Sequence, residues 1–155
     1  MPDTCPECGA PVPEGGSCQE SFHALLALEG QVPGAPGSLV HFYTVGCYAL
    51  QHPDSMRYTA EALRGLRTSL ADALDGRAGV DELRRRAREA ANGSARVLRR
   101  EGDPPVAWRR GGWPMNVADV LAGGAGRYVE SVLRWAAAIR ETLDADERTG
   151  SRRAR

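Results

Sequence analysis

The chain has 155 residues, 42% hydrophobic and 26% charged, with a formal net charge of zero. That length supports one buried core, and no apolar run approaches the ~20 residues a bilayer-spanning helix needs. The neutrality hides an asymmetry: residues 1–56 hold six acids and no Arg, residues 57–155 hold twenty Arg against fourteen acids, and lysine is absent. An all-Arg, Ala- and Gly-rich composition reads more simply as genome base composition than as selection for phosphate contacts.

The first residues, "MPDTC", carry neither the basic nor the apolar region of a secretory signal, so the expected compartment is the cytoplasm. Thiols stay reduced there, and the C-x-x-C pair of "CPECGAPVPEGGSC" reads as metal-binding or redox chemistry before it reads as a disulfide. Gly9 lets the chain turn so that backbone amides face the sulfurs of Cys5 and Cys8. Cys18 then follows a Gly-rich turn as a third thiol.

Helical signals follow in chain order. "CQESFHALLALEG" predicts a first helix from Cys18 to Gly30, and the Pro- and Gly-rich linker "QVPGAPG" separates it from the next. "SLVHFYTVGCYALQHP" predicts a second, from Ser38 to a stop at Pro53, because a residue before proline avoids the α region. A third opens on the Asp54/Ser55 cap and closes on Gly76, with Met56, Ala60, Leu63, Leu66, Leu70 and Leu74 in one stripe. A fourth is expected from Val80 to about Arg100, interrupted at "NGS". After a loop carrying Trp108 and Trp113, Asn116 caps a short turn and "GRYVESVLRWAAAIRETL" forms the last helix. The reading is an all-α bundle of about five helices with a Cys-rich, zinc-binding N-terminal lobe. It makes one domain over 1–146 and a polar, disordered tail over 147–155.

A tetrahedral site needs a fourth ligand, and His23, His41, Cys47 and His52 compete for it. If the first two helices form an antiparallel hairpin, Cys18 faces the region of residue 52 while His41 lies at the other end. On one helix His41 and His52 are about 16 Å apart in rise, so they cannot share an ion. His23 points roughly 140° away from Cys18, and Cys47 sits more than a turn from it. The expected metal set is therefore Cys5, Cys8, Cys18 and His52 around one structural Zn2+, with His23 second and His41 third.

No charged residue occurs between Ser38 and His52, which marks the second helix as central and buried. His41, Thr44, Val45, Tyr48, Gln51 and His52 share about a third of its circumference. Buried polar groups need partners. One reading is an internal network, such as Glu29 with His41 and Gln51 beside the metal lobe. The other is a small-molecule or second-metal pocket lined by His41, Tyr48 and Glu29, with His41 as base and Glu29 as its orienter. Cys47 reads as a small core residue.

"CPECG…C" followed by "HFYTVGCYALQHP" resembles a widespread bacterial family of small uncharacterised proteins, a domain of unknown function. Its members carry a C-x-x-C-G pair, a third Cys at a helix head and an H-x-x-x-V-x-x-Y-x-x-Q-H-P run. The pattern falls on Cys5, Cys8, Gly9, Cys18, His41, Val45, Tyr48, Gln51, His52 and Pro53, and "WPMNVADV" is similar to nearer members. Cys47 is not part of it. The resemblance implies a shared site of the three cysteines, one or both histidines, Tyr48 and Gln51, and implies no activity.

The arginines between Arg84 and Arg110, with Trp108 and Trp113 nearby, would suit nucleic acid only if Arg84, Arg88, Arg99 and Arg109 shared one face. A solvated helix face is the simpler reading, and the acidic metal lobe would repel phosphate. "GGAG" (123–126) lacks the Lys-Ser/Thr of a phosphate loop. A thioredoxin-like role for Cys5/Cys8 lacks its βαβ context. The expectation is a cytoplasmic zinc-binding helical module that acts on an unidentified protein or small-molecule partner, with no nucleic acid or membrane role. A metal-dependent enzyme using His41, Tyr48 and Glu29 is the alternative.

Overall fold

Ser17 closes the N-terminus of the first helix, its N–H donating to the Glu20 carboxylate at 3.4 Å. The computed structural model describes residues 3–94 and 96–153, and among these it holds six α-helices and no strand. Helix α1 spans Cys18–Glu29 and α2 spans Leu39–Gln51. Ser38 caps α2 by accepting from Val40 N at 3.2 Å, and Pro53 ends it as expected.

Helix α3 spans Ala60–Leu74, starting five residues later than the Asp54/Ser55 cap predicts. The backbone amides of Asp54 and Ser55 are drawn away to the Glu7 carboxylate, and Arg57 takes a left-handed φ of 57° that no α-helix tolerates. Thr59 is the cap instead, accepting from Ala62 N at 3.1 Å, and Met56 lies outside the stripe.

Helix α4 spans Val80–Asn92 and does not reach Arg100. The chain beyond it pairs with the turn before α3: Thr59 N donates to Val97 O at 2.8 Å and Arg99 N to Arg57 O at 2.7 Å. Helix α5 is short, Val117–Gly123, capped by Asn116, which accepts from Ala118 N at 3.0 Å. Helix α6 spans Tyr128–Arg153, so the expected disordered tail is helical to Arg153, and residues 154–155 lie outside the described residues. Side-chain anchors explain the extension. Arg67 on α3 pairs with Asp144 at 2.8 Å and Glu147 at 2.9 Å, and Arg109 grips Asp146 through two contacts of 2.7 Å.

Uncharged α2 sits at the centre, in contact with α1, α3 and α6, while α5 bridges α1 and α6. On α6, Tyr128, Val132, Trp135, Ala136, Ile139 and Leu143 are buried at helical spacing against Leu50, Leu63 and Leu70. This core holds the C-terminal end of α2 rigidly over the start of α1.

Candidate metal centre

The segment before α1 folds as a knuckle. Gly9 takes a left-handed φ of 83°, its N–H donates to Cys5 O at 2.8 Å, and Cys5 N donates to Ala10 O at 2.8 Å. Ala10 N then donates to Cys8 Sγ at 3.4 Å, an amide–thiolate contact that disperses charge on the sulfur. Cys18 is the first residue of α1 and His52 the residue after α2, so the hairpin of α1 and α2 brings both ends to the knuckle.

The ligand atoms of Cys5, Cys8, Cys18 and His52 all lie within 4.8 Å of one another, and all four residues are buried. His52 Nε2 stands 3.3 Å from Cys18 Sγ and 3.7 Å from Cys5 Sγ, and Cys8 Sγ stands 3.6 Å from Cys18 Sγ. A tetrahedron with metal–sulfur bonds of about 2.3 Å has edges of roughly 3.8 Å, so these spacings fit an ion at the centre. His52 Nδ1 donates to Tyr48 O at 2.7 Å. That bond fixes the tautomer and turns the Nε2 lone pair toward the sulfurs. The imidazole stacks on Tyr48 at 3.8 Å between centroids, and Tyr48 stacks on Phe22 at 4.0 Å.

Three thiols this close cannot share negative charge freely. The hydrogen bond with Cys18 pulls the Cys8 thiol down, and that same bond, with Cys8 as partner, pushes the Cys18 thiol up. Burial pushes Cys5 up. A cation at the centre would hold all three as thiolates.

The remaining candidates fall elsewhere. His23 is exposed on α1, and Cys47 lies wholly in the core, where burial pushes its thiol up. His41 donates from Nδ1 to Glu29 Oε2 at 2.6 Å, and Glu29 Oε1 accepts from Tyr128 OH at 2.9 Å. Thr44 Oγ1 lies 2.7 Å from Tyr128 OH. This is the internal network rather than the pocket. Tyr48 is two turns from His41, about 10 Å along α2, and its ring belongs to the metal lobe's stack. A groove of about 690 Å3 between α5 and α6 is not lined by His41, Tyr48 or Glu29.

Sequence reasoning missed Glu7. Its buried carboxylate accepts from Asp54 N at 2.7 Å, from Ser55 N at 3.3 Å and from the Ser55 hydroxyl. Its carbonyl accepts from Gly111 N at 2.8 Å and Trp113 Nε1 at 3.1 Å. An acid inside C-P-E-C was the only sequence signal. The tryptophans were also missed as structural donors: Trp108 Nε1 caps Leu50 O at 2.8 Å, and Trp135 Nε1 reaches Gln51 Oε1 at 3.2 Å. Gln51 Nε2 donates to Met115 O at 2.7 Å.

Fold and site together define an all-helical protein with a buried cluster of three cysteines and one histidine able to hold a metal ion. The chain belongs to the DUF5946 family, a family of unknown function, whose profile matches residues 3–144. Comparison with curated proteins and with solved structures gave no match.

Proposed function

We propose that Cys5, Cys8, Cys18 and His52 hold one structural zinc ion, and that the protein works as a cytoplasmic binding or regulatory module. The observation that carries this is the mutual approach of four buried ligand atoms to within 4.8 Å. Three thiolates and a neutral imidazole form a donor set that zinc takes as a closed tetrahedral site. With four protein donors no coordination position is left for a water nucleophile, which separates this centre from catalytic zinc. The ion ties an irregular N-terminal segment to the ends of two helices.

The enzyme reading draws no support from the His41–Glu29–Tyr128 network, where the buried carboxylate's two oxygens are both engaged. A nucleic-acid role is also disfavoured. Arg109 is held by Asp146, Arg110 by Asp54 at 2.8 Å, and the Trp108 and Trp113 indoles are committed to backbone carbonyls. The partner is a protein or a small molecule. No helix is long and apolar enough to cross a membrane.

Metal content per chain, by elemental analysis of wild type, His52→Ala and His41→Ala, tests the reading. One zinc in wild type and in His41→Ala, with loss in His52→Ala, supports it. Absence of zinc from freshly purified wild type refutes it.

A further inference from the structure

We infer that the metal centre is also a redox switch, in which hydrogen peroxide joins Cys8 to Cys18 in a disulfide and the ion leaves. The inference rests on reading Cys5, Cys8, Cys18 and His52 as a zinc site, and it names how that site is regulated. Zinc has no redox chemistry of its own, whereas the thiolates around it do. In a reducing compartment a protein disulfide is typically transient and catalytic or redox-sensing. Four ligands close the tetrahedron, and one disulfide removes two of them at once.

The sulfur positions and the chain between them choose the pair. Cys8 Sγ and Cys18 Sγ stand 3.6 Å apart, so a disulfide of about 2.05 Å needs them to close by roughly 1.5 Å. The nine residues that join them, 9–17, form no helix or strand, and they turn at Gly15, where even a Cβ would meet nothing within 4 Å. That loop has room to take up the movement. Cys5 and Cys8 instead share one turn, closed by bonds of 2.8 Å from Gly9 N to Cys5 O and from Cys5 N to Ala10 O. Cys18 opens α1 and is 8% exposed, against 1% for Cys8, so it is the sulfur of the pair that a small oxidant meets first.

The Cys18 thiolate attacks one peroxide oxygen, the O–O bond breaks, and hydroxide leaves, giving a sulfenic acid. The Cys8 thiolate then displaces hydroxide from that sulfur and forms the S–S bond. The two sulfurs have given two electrons to the peroxide, which takes up two protons and ends as two waters. Cys5 and His52 remain as two ligands, too few for a closed zinc site. The knuckle stays docked meanwhile, because bonds that involve no sulfur hold it. The Glu7 carboxylate keeps Asp54 N, Ser55 N and the Ser55 hydroxyl, and the Glu7 carbonyl keeps Gly111 N and Trp113 Nε1. His52 keeps its bond from Nδ1 to Tyr48 O. Reduction therefore finds all four ligand residues still adjacent, and the site re-forms.

The test takes the full chain, reduced and loaded with zinc, and adds hydrogen peroxide while a chromogenic chelator follows the ion against an untreated control. Free thiols are then alkylated and the denatured chain is cut after glutamate. Glu7, Glu14, Glu20 and Glu29 place Cys5, Cys8, Cys18 and Cys47 on separate peptides, so mass spectrometry reads each pairing unambiguously. We expect loss of the zinc in step with one disulfide between peptides 8–14 and 15–20, with Cys5 and Cys47 alkylated. Dithiothreitol and fresh zinc should then restore the starting metal content. Zinc-loaded protein that keeps its ion under peroxide overturns the switch and leaves the metal reading intact. So does loss of the ion with a disulfide through Cys5 or Cys47, or with sulfinic acid and no disulfide. Reduced protein that takes up no zinc overturns the metal reading, and the switch with it.

Discussion

Replacing Glu7 by alanine should damage the metal centre without touching a ligand. The wild-type carboxylate is buried and accepts from Asp54 N, Ser55 N and the Ser55 hydroxyl, clamping the knuckle to the turn that follows His52. Hydrogen bonds to a charged acceptor contribute about 1.5–3 kcal/mol each, and the backbone donors left behind would be poorly satisfied. The three bonds share one acceptor and are not additive, so a net loss of about 3 kcal/mol is expected. Against a total stability of roughly 5–15 kcal/mol that is a large fraction. Urea unfolding followed by tryptophan fluorescence reads it directly, because all three indoles bond near the end of α2 or the knuckle. Transfer of the metal to a chromogenic chelator should run about 10–100-fold faster in Glu7→Ala. Glu7→Gln, which keeps one carbonyl acceptor, should fall between. A Glu7→Ala protein with unchanged unfolding midpoint and unchanged metal release would refute the clamp.

His41→Ala should match wild type in zinc content yet lose about 1–2 kcal/mol, since Glu29 would stay buried with one donor fewer; elemental analysis and urea melts read both. Tyr128→Phe removes the other donor to Glu29 and should cost about 1 kcal/mol by the same melt. Chelation should leave far-UV helicity largely intact while amide exchange accelerates over residues 3–17, because only that segment depends on the ion. In acid, the Arg110 hydrogen bond holds the Asp54 carboxyl below the usual carboxylate range, and Arg109 does the same for Asp146. A depressed folded pKa contributes stability that is complete above about pH 4 and lost as pH falls through the folded value. Asp54→Asn should therefore flatten the acid limb of the stability profile, measured by urea melts below pH 5.

The grouping of Cys5, Cys8, Cys18 and His52 was legible from the C-x-x-C spacing together with helix geometry. Antiparallel α1 and α2, read from Gly30, the linker and Pro53, put residues 18 and 52 at one end, and the rise per residue excluded His41. The central position of α2 was legible from its lack of charge. Less local features were not. The delayed start of α3 goes with the left-handed Arg57, in a turn whose Asp54 amide is held by Glu7, forty-seven residues away. The break of α4 at "NGS" was legible, but the pairing between 57–59 and 97–99, in place of a resumed helix to Arg100, leaves no periodic trace. The last turns of α6 are polar, and Arg67 and Arg109, on distant segments, anchor it at Asp144, Asp146 and Glu147. In each case the deciding contact, from a side chain or a backbone pairing, is long-range in sequence.

The C-terminal end of α2 shows why the centre needs the rest of the fold. A helix leaves its last carbonyls without intrahelical partners, and burying that end is costly unless other groups supply donors. Here the donors come from four directions. His52 Nδ1 takes Tyr48 O, Trp108 takes Leu50 O, Met56 N takes His52 O at 3.0 Å, and Arg99 takes Pro53 O at 3.2 Å. The Gln51 side chain, buried one residue before the ligand, is fixed at both ends by Met115 O and Trp135. His52 is thus oriented by groups from α6, from the 96–99 segment and from the 108–115 loop, before any metal arrives. A histidine held this firmly could bind an ion without first ordering itself, whereas the irregular knuckle would gain order from an ion bound there. On the proposed reading, the α-helical core is the template and the N-terminal segment is the part a metal would organise.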